Sequence, residues 1–149
     1  VLIFRPHNIY GPDMGWEHVI PQFIKRASDL IADQKNGEIL FKIQGDGSQT
    51  RAFCYIDDFV AGVLCILERG THLEIYHIGN PEEITIREVA NKVIACFGRK
   101  ADIIPGEYVE GGTQRRCPDI SKMEAIGYSP GVDFDSGLKM TIDWYRNHI

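Results

Sequence analysis

The sequence predicts an α/β fold, on three observations. Short β-rich runs alternate with stretches of helical period along the whole chain. The first run, residues 1–4, is apolar throughout, the pattern of a strand buried on both faces of a parallel sheet. The junctions carry glycine, asparagine, aspartate and proline, which set turns rather than extend elements. At 149 residues and 44% apolar content the chain fits one domain, or a piece of something larger, with a real core.

In order, the strand at residues 1–4 leaves through Arg5-Pro6-His7-Asn8-Ile9-Tyr10-Gly11-Pro12, a turn-forming stretch at a strand end, where ligands gather in open α/β sheets. Residues 19–32 then place Ile20, Phe23, Ile24, Ala27, Leu30 and Ile31 at helical spacing, and Lys35-Asn36-Gly37 ends that helix with the glycine as a left-handed cap. Residues 39–43 form a strand in which Lys42, like Gln44 beyond it, points away from the face of Ile43. Residues 52–56 are strand-like, and Asp57 or Asp58 caps a helix beginning near Phe59. That helix is apolar almost all round, hence sandwiched between layers. Residues 74–78 form a strand closed by Gly79-Asn80-Pro81. Thr85-Ile86-Arg87-Glu88 has capping-box spacing, and the helix after it carries Val89, Ala90, Val93, Ile94 and Phe97 on one face until Gly98 stops it. Residues 101–104 make another strand, and residues 111–119 a loop with two adjacent arginines. Ser121 and Glu124 start a short helix, and Asp135 caps a last one that buries Leu138, Ile142 and Tyr145.

Composition narrows the function. A net charge of -5 argues against nucleic acid or an anionic membrane as partner, since both select a basic face. No apolar run approaches the roughly 20 residues of a membrane span. The four cysteines, Cys54, Cys65, Cys96 and Cys117, are widely separated without a Cys-x-x-Cys pair, so they read as free thiols in a reducing cytoplasm. The five histidines lack His-Glu-x-x-His spacing, and no metal site is predicted. The chain opens on valine, from which an upstream natural start is expected.

Three separated features carry chemistry. The glycines of Gly45-Asp46-Gly47 permit a sharp bend or a close approach to a ligand. Arg51 follows, and its guanidinium either turns into a cleft as a planar fork for a phosphate or carboxylate, or is solvated at a surface turn. Asn8 either donates its amide to a phosphate oxygen or makes a turn with its own backbone. Arg115 and Arg116 either meet phosphate or belong to a solvated charged loop. Asp57 and Asp58 read as caps, Asp119 and Lys122 as structural groups at a loop–helix junction, and Trp16, Trp144 and Tyr145 as packing. His77 reads as a histidine satisfied by its neighbours.

These features, in this order, resemble the C-terminal half of the extended short-chain dehydrogenase/reductases, the NAD-dependent nucleotide-sugar epimerases and dehydratases. The matching stretches are Arg5 through Pro12, residues 45–58, Tyr76-His77-Ile78-Gly79-Asn80, and Arg115-Arg116-Cys117-Pro118-Asp119-Ile120-Ser121-Lys122 leading into Ile126-Gly127-Tyr128-Ser129-Pro130. The likeness runs end to end, and Gly47-Ser48-Gln49-Thr50-Arg51-Ala52-Phe53 with Gly79-Asn80-Pro81-Glu82-Glu83 looks most like UDP-glucuronate decarboxylases. Relatives of UDP-glucose 4-epimerase and dTDP-glucose 4,6-dehydratase are close behind.

The resemblance implies late strands and a helix of a Rossmann-type parallel sheet, residues 1–12 and 56–80, interleaved with a smaller α/β sugar-nucleotide-binding lobe, residues 13–55 and 81–149. It implies that Asn8, Arg51 and one of the paired arginines, Arg116 ahead of Arg115, hold the diphosphate of a UDP-, dTDP- or other nucleotide sugar. Lys42 and Gln44 fall where relatives contact the base. Many relatives have an aromatic residue at the position of Gln44, and this departure points to a different base contact. Pro6 and His7 fall near the nicotinamide of NAD. The family's Gly-x-x-Gly-x-x-Gly turn and Tyr-x-x-x-Lys pair are absent from the sequence. In the family that tyrosine moves the proton while nicotinamide takes hydride from C4, through a transient 4-keto sugar. No catalytic residue is therefore expected in this chain, NAD is expected to be held mainly by a missing N-terminal half, and the chain alone is expected to be inactive. Exposed apolar strand faces and an open sheet edge are expected with it. The intact enzyme is expected to be a homodimer. The alternative is a non-catalytic remnant or sugar-nucleotide-binding module.

Overall fold

A computed structural model describes residues 1–34, 36–108 and 111–148; Lys35, expected at the first helix end, lies outside them. The alternation of period produces nine strands and five helices among the described residues. They are β1 (Ile3–Pro6), β2 (Ile9–Tyr10), α1 (Val19–Asp33), β3 (Ile39–Ile43), β4 (Thr50–Ala52), β5 (Cys54–Tyr55) and α2 (Ile56–Arg69). After these come β6 (Ile75–Ile78), β7 (Glu83–Thr85), α3 (Ile86–Cys96), β8 (Ala101–Pro105), β9 (Arg115–Arg116), α4 (Ser121–Ala125) and α5 (Phe134–Arg146).

Parallel pairing dominates, as the α/β reading predicts. β1 lies parallel to β6, β2 to β5 and β3 to β8, and β4 sits between antiparallel β7 and parallel β9. The first core cluster gathers Ile20, Phe23 and Ile24 of α1, Phe41 and Ile43 of β3, Val89 and Val93 of α3, and Leu138 and Ile142 of α5. The second holds Cys65 and Ile66 of α2, Tyr76 and Ile78 of β6, and Met123 of α4. All four cysteines are free.

Several local expectations are corrected. β1 is exposed along its length, with Phe4 at 41%, because β6 is its one strand neighbour and no layer covers its outer face among the described residues. For the same reason α2 is not sandwiched: Gly62, Cys65 and Ile66 face inward while Val60, Leu64 and Leu67 stand exposed. α2 starts at Ile56, so Asp57 and Asp58 lie in its first turn rather than at its cap. Asp58 is buried and accepts the Gly131 and Val132 amides at 2.8 and 3.0 Å, stitching a distant loop to the helix. α1 ends at Asp33 with Gln34 as its C-cap, before the left-handed Gly37. Asp119, not Ser121, accepts the first amide of α4, and Asp133, not Asp135, caps α5 through the Ser136 amide. The capping box at Thr85 and Glu88 is fully formed.

Candidate functional site

The site forms where the chain leaves β1. His7 donates its amide to the Ile78 carbonyl, continuing the β1–β6 ladder, and Asn8 then takes a left-handed φ of 43°, a conformation asparagine tolerates better than most residues. Its side-chain amide donates to the Ala52 carbonyl at 2.9 Å, and its own carbonyl accepts from Cys54. Asn8 thus ties the end of β1 to the β4–β5 segment instead of making a turn with itself. One of its two amide protons remains for another acceptor.

Arg51 lies within β4, in register with Ile84 of β7 and Arg116 of β9, so the expected loop of adjacent arginines is in part a short strand. The Thr50 amide, donating to the Gln114 carbonyl, starts that pairing. The Arg51 guanidinium is held by two backbone carbonyls, Thr50 at 2.7 Å and Thr113 at 2.8 Å, which leaves its other donors free to point elsewhere. Partial burial, and next the charge of Arg116, push its pKa below the usual arginine value. No carboxylate pairs with Arg51 or Arg116 among the described residues.

Arg115 goes the other way. Successive strand residues leave on opposite faces, and Arg115 forms an exposed ion pair with Glu83, Nη2 to Oε1 at 2.6 Å. The Thr50 hydroxyl and then Arg115 hold the Glu83 carboxyl below its ordinary range.

A cavity of about 510 Å³ opens between α1 and the β4–β9 wall, and Asn8, Gln44, Arg51 and Arg116 all line it. Lys42, Pro6, His7 and Arg115 do not. Lys42 is exposed on β3 with its stem near Gly106. Pro6 ends β1, and His7 turns to His77, Nε2 to Nδ1 at 2.6 Å. Burial first, then His77, Arg116 and Arg5, lower the His7 pKa.

The cavity also contains residues that the sequence reading passed over: Glu17, His18, Gln22, Arg26, Gln49 and Tyr108. His18, Gln22 and Arg26 recur every fourth residue, a polar line along α1 beside its apolar stripe. That spacing was the available signal. With Arg26, Arg51 and Arg116 set against Glu17 as its one carboxylate among the described residues, the cavity is suited to an anion. No cluster of three or more metal-ligating side chains exists among the described residues, and none of their helices is long and apolar enough to cross a membrane.

Comparison with known proteins gives this arrangement its relatives. The NAD dependent epimerase/dehydratase family matches residues 1–79. Over 147 residues the chain is 36% identical to the low-salt glycan biosynthesis protein Agl12 of Haloferax volcanii, which covers 97% of this chain and 44% of that protein. It resembles the crystal structure of DesIV, a dTDP-glucose 4,6-dehydratase of Streptomyces venezuelae with NAD bound, at a TM-score of 0.82 and 34% identity, over 97% of this chain and 43% of that one. It also resembles UDP-glucuronic acid 4-epimerase of Bacillus cereus in complex with UDP-glucuronic acid and NAD, at a TM-score of 0.84 and 28% identity, over 99% of this chain and 46% of that one. The chain therefore spans less than half the length of each of these relatives.

Proposed function

Because the chain belongs to the NAD dependent epimerase/dehydratase family, we propose that its cavity holds the diphosphate of a nucleotide sugar. The observation that carries this reading is the register of Arg51 against Arg116: two guanidinium groups on neighbouring strands, without a carboxylate partner among the described residues, lining one cavity. Like charges so placed repel: partial burial first, and then the charge of Arg116, lower the Arg51 pKa. A pyrophosphate between them turns that repulsion into attraction, and forked donors orient the ligand as well as hold it. The second amide proton of Asn8 serves the same group.

In this reading the 149 residues are the substrate-binding part of an NAD-dependent epimerase, dehydratase or decarboxylase that works through a transient 4-keto sugar. The residues present do not fit a dinucleotide site. No Gly-x-x-Gly-x-x-Gly turn leads from a strand into α1, α2, α3 or α5, whose preceding residues are His18, Tyr55, Thr85 and Asp133. NAD is accordingly assigned to sequence outside this chain, apart from contacts at Pro6 and His7, and no catalytic step is assigned to these residues. Segments 1–12 and 56–80 form the Rossmann layer and the remainder the substrate lobe, in a homodimeric cytoplasmic enzyme.

The absence of a Tyr-x-x-x-Lys pair favours a second reading, a sugar-nucleotide-binding module without chemistry. Calorimetric titration with UDP and dTDP tests what both readings share. Arg51→Ala and Arg116→Ala each weaken binding by about ten- to a hundredfold, the scale of a hydrogen bond to a charged group. Unchanged affinity in both variants removes the diphosphate assignment. Turnover of a nucleotide sugar after a polypeptide carrying the glycine turn and the tyrosine–lysine pair is added separates enzyme from module.

A further inference from the structure

Arg26 is the cavity cation that the diphosphate reading leaves without a task. Its guanidinium carbon sits 4.5 Å from the centroid of the fully buried Phe41 ring and 5.8 Å from that of Phe23. Nη2 donates to the Lys42 carbonyl, so the group is fixed at one edge. It has no carboxylate partner among the described residues. A side chain fixed by a ring beneath it and a carbonyl at its edge is immobilised before any ligand arrives. Arg26 also lines the cavity, where Gln22, Gln44 and Gln49 supply neutral amides. Arg51 and Arg116 lie on the β4–β9 wall, whereas Arg26 is tied to β3, next to Gln44.

Planar guanidinium groups stack on aromatic faces, and nucleobases stack on guanidinium planes as they do on aromatic rings. Resting on the diphosphate reading above, we propose that Arg26 is the platform on which the nucleobase of the bound nucleoside diphosphate stacks. Phe41 backs the platform from the core, and the amides of Gln44 and Gln49 face the edge of the base. Arg26 is thus a specificity residue that tells a nucleotide from a bare diphosphate.

Isothermal titration of the full chain with UDP and with inorganic pyrophosphate tests this. Arg26→Lys keeps the charge and the stem but has no plane, and Arg26→Met keeps only the stem. Both variants weaken UDP binding about tenfold, the scale of one base stack, and leave pyrophosphate binding within twofold. Equal losses for both ligands make Arg26 a phosphate ligand and overturn the proposal. So does recovery of UDP binding by Arg26→Lys where Arg26→Met has lost it, or wild-type affinity in both variants. Arg51→Ala separates the two readings: it weakens both ligands if the diphosphate assignment holds. If wild type binds neither ligand, the diphosphate assignment falls and the platform falls with it.

Discussion

Arg115 and Arg116 are one position apart on a strand, so one enters an ion pair with Glu83 and the other faces a cavity. Spelling alone left the pair ambiguous, because the face each takes is set by the pairing of β9 with β4, a partner far away in sequence. Asp58 shows the same limit. Its place at a helix start reads as a cap, yet the amides of Gly131 and Val132, invisible to any local pattern, are what it binds. His7 carries a prediction at this scale. Burial and its cationic neighbours disfavour the imidazolium, so the folded pKa lies below that of the unfolded chain, near 6.5. The neutral ring's contribution to stability is present above that value and is lost as pH falls through the folded pKa. Melting temperatures at pH 7.5 and 5.5 are expected to drop more steeply for wild type than for His7→Asn, and parallel slopes would remove His7 as the cause.

Helices were the most legible elements, since α1, α3 and α5 each carry an apolar stripe whose period is local information. Their starts were legible where one candidate cap stood alone. Thr85 with Glu88 forms its box as the spacing requires, with the Glu88 amide donating to Thr85 Oγ1 at 3.1 Å and the Thr85 amide to Glu88 Oε2 at 2.9 Å. Where two aspartates compete the pattern cannot choose: Asp133 caps α5, and Asp135 pairs with Lys92 of α3 at 2.5 Å instead. Thr85→Ala is expected to cost about 1 kcal/mol of stability by urea denaturation. Lys92→Ala, which removes an exposed pair, is expected to cost less than about 1 kcal/mol. The short strands β2, β5, β7 and β9 were read incompletely because stretches of two or three residues have no period to detect.

At the scale of the molecule, the exposed stripe of Val60, Leu64 and Leu67 on α2 adjoins β1, where Phe4 meets Phe59 at 6.0 Å between ring centroids. Apolar composition predicts α2 as a helix sandwiched between layers, and that expectation fails because the described residues cover one side of it only. A contiguous apolar face of this kind favours association. The chain is expected to self-associate with rising concentration in light-scattering chromatography, and Leu64→Gln with Leu67→Gln to return it to a monomer. Surface changes of this sort leave stability within about 0.5 kcal/mol. A monodisperse wild-type chain would count against that role for the face.

The pairing of β3 with β8, Ile39 against Ala101 through Ile43 against Pro105, also fixes an order of events during synthesis. No described strand pair is a hairpin, so each closes a long stretch of backbone before it gains a contact, and topologies of that kind fold slowly. On the ribosome α1 and β3 emerge with their sheet partner still untranslated, and the first core cluster cannot close until β8 and then α5 have left the exit tunnel. From the emergence of β3 until that of α5 the nascent protein thus carries Phe23, Phe41 and Ile43 uncovered, a client for a holding chaperone.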